Sequence, residues 1–169
     1  MSKVLVVYGT GTGCTTVVAE QIGKSLAEKG VTAEVVSAND APDPSGYDAV
    51  IVGSGVRAGN WHGPVKEWVA ANAAALKEVP VAFFTACLTM ATEPGKSDEV
   101  RAYTDELIRT TGVKPVDVGL FAGWNEPKRF SFVERTIIKM MGAPVGDFRD
   151  FATIGSWALA TATKLGLEG

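Results

Sequence analysis

The stretch Lys3-Val4-Leu5-Val6-Val7-Tyr8-Gly9-Thr10-Gly11-Thr12-Gly13-Cys14-Thr15-Thr16 decides the fold. From Lys3 to Tyr8 it is almost continuously apolar, the pattern of a strand covered on both faces. A glycine- and threonine-rich turn comes next. Val18, Ile22 and Leu26 then recur every four residues, which predicts a helix, and Gly30 ends it as a terminating glycine. A loop that opens a helix exposes several N–H groups and the positive end of the helix dipole, an arrangement suited to a phosphate. Thr10, Thr12, Thr15 and Thr16 add hydroxyl donors, and the glycines let the backbone approach an anion closely.

Outward from this stretch, short β-branched runs alternate with helix-period segments. Strands are expected at Thr32–Ser37, Ala49–Gly53, Val79–Phe84 and Lys114–Phe121. Pro64 opens a helix with Val65, Trp68, Val69 and Leu76 on one face. Ser97 caps another, in which Val100, Tyr103 and Leu107 share a face before Gly112. Trp157–Leu165 is the closing helix. Strands separated by helices predict an α/β fold with an open, doubly wound parallel sheet and helices on both faces. For five strands the expected order is 2-1-3-4-5, in one domain spanning 1–169. The segment 122–156 does not fit this alternation. It is far longer than the usual connection of about 2–6 residues and reads as a late helical insertion.

Composition sets the outer bounds. The 169 residues suit one domain, and 46% hydrophobic with 21% charged residues is an ordinary globular balance. A net charge of −3 does not indicate a nucleic-acid binder. No apolar run approaches the roughly 20 residues that cross a bilayer, and no signal peptide is visible. Cys14 and Cys87 form no disulfide framework, so a reduced, cytoplasmic protein is expected. No metal cluster is expected.

Three kinds of phosphate loop compete for Gly9 to Thr16. A nucleoside-triphosphate loop requires Gly-x-x-x-x-Gly-Lys-Ser/Thr, and no lysine is present. The dinucleotide pattern Gly-x-Gly-x-x-Gly fails from Gly9 and from Gly11, because Cys14 and Thr16 take the third-glycine position. A hydroxyl-rich loop without a cation remains, suited to a terminal phosphomonoester. Thr10-Gly11-Thr12-Gly13-Cys14-Thr15 resembles the FMN-phosphate loop of flavodoxins, Thr/Ser-x-Thr-Gly-Asn-Thr, with Cys14 where that family carries Asn. The resemblance implies FMN as cofactor and a flavodoxin-like fold.

In such a sheet ligands bind beyond the carboxyl ends of the strands. Two further loops leave that rim: Ser54-Gly55-Val56-Arg57-Ala58-Gly59-Asn60-Trp61-His62 after strand three, and Thr85-Ala86-Cys87-Leu88-Thr89 after strand four. A flavin ring needs flat apolar contact and backbone hydrogen bonds, which loops of this type supply. Trp61 is either a stacking partner or a tryptophan that covers core. Arg57 either stabilises a reduced flavin or an anionic substrate, or lies in solvent. His62, the only histidine, either moves protons or is polar surface at a helix start. Arg57 and His62 are the candidate catalytic residues. Cys14 and Cys87 read as small buried residues rather than redox thiols.

The loop from Ser54 to His62 is similar to that of the bacterial menaquinone-dependent protoporphyrinogen IX dehydrogenases, which carry a Ser-Ile-Arg-x-Gly-x-Tyr-His-type sequence there. Arg57, Gly59 and His62 match, with Trp61 in the aromatic place. Phe121-Ala122-Gly123, Lys128-Arg129-Phe130-Ser131-Phe132 and Ile137-Ile138-Lys139-Met140-Met141-Gly142 resemble that family's insertion. Asp147-Phe148-Arg149-Asp150 before Ser156-Trp157 resembles its closing pattern. Thr92-Glu93-Pro94 stands where those relatives carry Arg-Lys before Pro. The resemblance implies an FMN-dependent oxidoreductase of heme biosynthesis, with a tetrapyrrole substrate and a quinone or redox protein as partner. A flavodoxin-like electron carrier without its own substrate is the alternative.

On a helical wheel Phe130, Val133, Ile137, Met140 and Met141 share a face, with Arg135 and Lys139 opposite. Five basic and three acidic residues give Trp124–Arg149 a charge of +2, leaving −5 elsewhere. Such a helix within 128–141 rests on the inner membrane surface or a quinone, clasps an anionic tetrapyrrole, or packs on the domain.

Overall fold

The computed structural model describes residues 2–10, 13–57, 60–87, 97–122, 124–125, 132, 136, 146–147 and 149–168. Five parallel strands form its sheet: β1 (Lys3–Gly9), β2 (Thr32–Ser37), β3 (Ala49–Arg57), β5 (Val81–Cys87) and β6 (Asp117–Ala122), in the order β2-β1-β3-β5-β6. A short β4 (Asn60–Trp61) folds back antiparallel on β3. Counted over the parallel strands alone, this is the expected 2-1-3-4-5 order.

Alternation along the strands divides the core in two, which is why β1 reads as an uninterrupted apolar run. Val4 and Val6 face α1 (Cys14–Glu28) and α5 (Phe151–Lys164), where they meet Val18, Ile22, Leu26, Ile154 and Ala158. Leu5 and Val7 face α2 (Gly63–Ala71), α3 (Ala73–Leu76) and α4 (Ser97–Thr111), joining Val65, Trp68, Leu76 and Leu107. Side chains so buried each contribute about 1.5–3 kcal/mol of transfer free energy. On the first face Phe84 lies between Phe121 and Trp157, with ring centroids 6.2 and 6.3 Å away.

Several elements differ in their bounds from the sequence expectation: β5 runs Val81–Cys87 rather than Val79–Phe84, β6 runs Asp117–Ala122 rather than Lys114–Phe121, and further differences have a visible cause. Strand β3 runs through Gly53 and Gly55 to Arg57 rather than stopping at Gly53. A Cβ at Gly53 would collide with the Phe84 ring, so the glycine belongs inside this strand and does not end it. The helix after Pro64 breaks at Asn72, whose side-chain amide donates to the Trp68 carbonyl at 2.9 Å, and Leu76 reaches the core from a separate turn. The closing helix starts at Phe151, six positions before Trp157, because Asp150 caps it: its carboxylate accepts from the Thr153 N–H at 3.1 Å and the Thr153 hydroxyl at 2.9 Å. These bonds, the Thr153 N–H first, hold the exposed Asp150 carboxyl below its ordinary range.

The long connection between β6 and α5 is therefore shorter than 122–156. It also contains an antiparallel pair, β7 (Trp124–Asn125) with β8 (Gly146–Asp147). Most of the expected amphipathic helix lies outside the described residues. Of its span, Phe132 and Thr136 are helical, and Phe132 is 77% exposed. At the other end of α5, Asp117 of β6 accepts from Thr161 at 3.1 Å and Lys164 at 2.9 Å. Burial pushes the Asp117 carboxyl up, but these bonds and one from the Val118 N–H outweigh it and hold it below the usual carboxylate range.

Candidate functional site

Strand register gathers the site. Gly9 of β1 stands beside Ser54 of β3, and Ser54 beside Thr85 of β5. The chain leaves all three strands at one rim, so the three loops read from the sequence adjoin one another. Topology and register are enough to bring them together.

Gly13 enters α1 with a φ of 89°, a left-handed conformation that favours glycine, and its N–H donates to the Thr10 hydroxyl at 3.0 Å. As N-cap it has no side chain with which to satisfy the first turn, and that turn carries no acidic residue. The helix end is thus electropositive and uncontested by a carboxylate. Thr15 sits in this turn, fully buried, and among the described residues its hydroxyl has no hydrogen-bond partner. It faces Gly55 of β3, where an added Cβ would lie 3.0 Å from the Thr15 Oγ1. A buried hydroxyl without a partner costs about 1–3 kcal/mol, so it marks a place where a ligand oxygen belongs. Gly9 also leaves no room: a Cβ there would overlap Val65 and come within 3.0 Å of the His62 ring. The sequence alone does not single out Gly9 as a cofactor residue, although it begins the glycine-rich turn.

The second loop is tied down firmly. Ser54, fully buried, accepts the His62 N–H at 2.8 Å and donates to the Gly55 carbonyl at 2.7 Å. Val56 pairs with Trp61, and Arg57 with Asn60, so β4 lies antiparallel against the end of β3. Trp61 is 3% exposed. Its indole N–H donates to the Thr85 hydroxyl at 2.9 Å, and its ring meets Phe83 edge-on at 5.6 Å. In this structure the indole therefore covers core and clamps β4 to the end of β5. His62 lies at the start of α2, with its ring against Gly9 and so beside the beginning of the phosphate loop. Ala86 is buried on β5. Arg57 and Cys87 are placed by their backbone at the strand ends, while Gly11, Thr12, Ala58, Gly59, Leu88 and Thr89 lie outside the described residues. Cys14 is buried in the first turn of α1.

One residue at this rim was missed as a site residue. Arg149, half-buried just before α5, donates from Nη1 to the Cys14 carbonyl at 3.5 Å. Residues so distant in sequence leave no periodic signal of contact. Among the described residues no group of three or more His, Cys, Asp or Glu side chains is placed to hold a metal ion.

The donor set suits a phosphomonoester: an electropositive helix end, an unpartnered buried hydroxyl, and glycines at the close approaches. The chain is similar to several known proteins. Protoporphyrinogen IX dehydrogenase (quinone) of Escherichia coli is 25% identical over 82% of this chain and 78% of its own. The protein of the same name from Leishmania major is 27% identical over 88% of this chain and 65% of its own. In fold, oxidised flavodoxin 1 from Bacillus cereus matches with a TM-score of 0.60 and 16% identity, covering 96% of this chain and 98% of that one. The flavodoxin domain family matches residues 5–150, so the chain belongs to the flavodoxin domain family and FMN is its cofactor.

Proposed function

We propose that the chain is an FMN-dependent oxidoreductase that withdraws electrons from a reduced tetrapyrrole of the protoporphyrinogen type and passes them to a quinone. The juxtaposition of the phosphate cradle with the segment from Arg57 to His62 on one rim carries this reading. Similarity to relatives named for that reaction supports it. Bound FMN supplies the electron-accepting ring, and the protein supplies position and electrostatics.

Thr10, Gly13 and Thr15 hold the phosphate through backbone amides and hydroxyls at the start of α1. The ends of β3 and β5, with Ser54, Gly55, Val56, Ala86 and Cys87, offer backbone groups to the flavin edge. The Ser54 and Trp61 hydrogen bonds keep that rim rigid, which holds a ring in one orientation. Arg57 offers a permanent positive charge to the substrate or the reduced ring. His62, at the start of α2 with its ring against Gly9, is the proposed proton-exchanging group. A quinone is lipid-soluble, so the cytoplasmic membrane surface is the proposed place of reaction, reached through 128–141. No helix among the described residues is long and apolar enough to cross a membrane.

Incubating the FMN-loaded protein with protoporphyrinogen IX and a menaquinone analogue is expected to speed porphyrin formation above the FMN-free control. Equal rates would overturn the proposal. Flavin that exchanges electrons with a reductase but leaves the tetrapyrrole untouched would instead identify an electron carrier.

A further inference from the structure

The threonine-rich loop contains no cation, yet the fold brings one to it from far along the chain. Arg149 sits where the last connection enters α5, and its Nη1 donates to the Cys14 carbonyl in the first turn of α1. It is held in place from several sides. The neighbouring Asp150 caps α5. The guanidinium lies 5.3 Å over the Phe151 ring. Helices α1 and α5 pack tightly, since a Cβ at Gly155 would come within 3.0 Å of the Ser25 hydroxyl. One residue beyond Cys14 stands Thr15, fully buried, with a hydroxyl unpartnered among the described residues. A rigidly held cation and an orphaned donor thus converge on the same helical turn.

We infer that Arg149 is a binding residue for the flavin phosphate, and that its charge sets the preference for FMN over the phosphate-free flavin. The inference rests on the FMN reading of the loop. A phosphomonoester carries about −1.5 to −2 charges at neutral pH, and a guanidinium stays protonated throughout that range. Beside a helix N-terminus the two positive sources add. In a half-buried setting, attraction between opposite charges is screened less than in bulk water and is strong enough to change affinity by about an order of magnitude or more. A guanidinium that only braced α5 against α1 would act on any flavin equally.

The experiment compares FMN with riboflavin, by quenching of flavin fluorescence, on the wild-type chain, Arg149→Gln and Arg149→Lys. The expected result for Arg149→Gln is FMN binding weakened about 10- to 50-fold with riboflavin changed less than about 3-fold. Arg149→Lys, which keeps the charge, is expected to restore most of the FMN affinity. The wild-type preference for FMN is also expected to shrink as salt rises, and that of Arg149→Gln to change less. Equal weakening of both flavins, or FMN binding unchanged in Arg149→Gln, would overturn the inference. A wild-type chain that binds neither flavin would overturn the FMN reading and this inference with it.

Discussion

Replacing Thr15 by Val is expected to make the flavin-free protein more stable and, at the same time, weaken FMN binding about 10- to 100-fold. The two effects come from one atom. Among the described residues Thr15 Oγ1 is buried without a partner, so the flavin-free protein is expected to bear the desolvation cost of that hydroxyl. Valine fills nearly the same shape and removes that cost. A gain of about 1 kcal/mol raises the melting temperature of a domain this size by about 2–4 °C. With flavin present the sign reverses. A hydrogen bond to a charged phosphate is worth about 1.5–3 kcal/mol, which converts to the stated loss of affinity. Thermal melting with and without FMN reads both effects. If Thr15→Val lowers flavin-free stability and leaves FMN affinity unchanged, the hydroxyl serves the fold and not the ligand.

The second large effect concerns the core beneath the site. Phe84→Ala is expected to lower unfolding free energy by about 3–5 kcal/mol, a large part of the 5–15 kcal/mol typical of a domain. Phe84 is fully buried, in tilted contact with Phe121 and edge-on contact with Trp157, and lies directly over Gly53 of the neighbouring strand. Gly53→Ala is itself expected to be costly, because its methyl group would occupy the space of that ring. In the Phe84→Ala background the same methyl meets a cavity. The double variant is therefore expected to cost less than the two single changes added together, as denaturant midpoints would show. Strict additivity would mean that the ring and the glycine do not share the space described here.

The relation of sequence to structure is clearest at β1. Val4 to Val7 had to be apolar throughout, since the strand is covered by α1 and α5 on one side and by α2, α3 and α4 on the other. From there the order of the parallel strands and the common rim of the three loops followed. Strand β3 was harder, because Gly53 and Gly55 look like a strand end when judged by propensity. Gly53 is set by the Phe84 ring across the sheet, a tertiary demand that no local pattern encodes. The start of α5 was hidden for a different reason. Asp150 and Thr153 form its cap, whereas Trp157, the large apolar residue that marks the segment in the sequence, lies well inside the helix.

At the proposed site, the loop from Gly9 to Thr16 stands out in the sequence because its chemistry is local: glycines for close approach, threonines for donors, and a helix immediately after. Trp61 does not, since a tryptophan in a loop serves equally as a platform or a plug, and only the bond to Thr85 shows it clamping β4 to β5. Arg149 could be noticed as part of a motif, but its partner Cys14 lies at the far end of the chain. His62 was placed near a flavin ring by reading along its loop. The structure puts its ring against Gly9, at the beginning of the phosphate loop.

The most direct test of the account is the visible absorption spectrum of the protein after incubation with FMN and removal of free flavin by gel filtration. The oxidised-flavin bands are expected to travel with the protein at one FMN per chain, and to be much weaker when riboflavin is used instead. A protein that emerges colourless, or that retains the two flavins equally, would contradict the claim that the loop from Thr10 to Thr15 is a phosphate cradle for FMN.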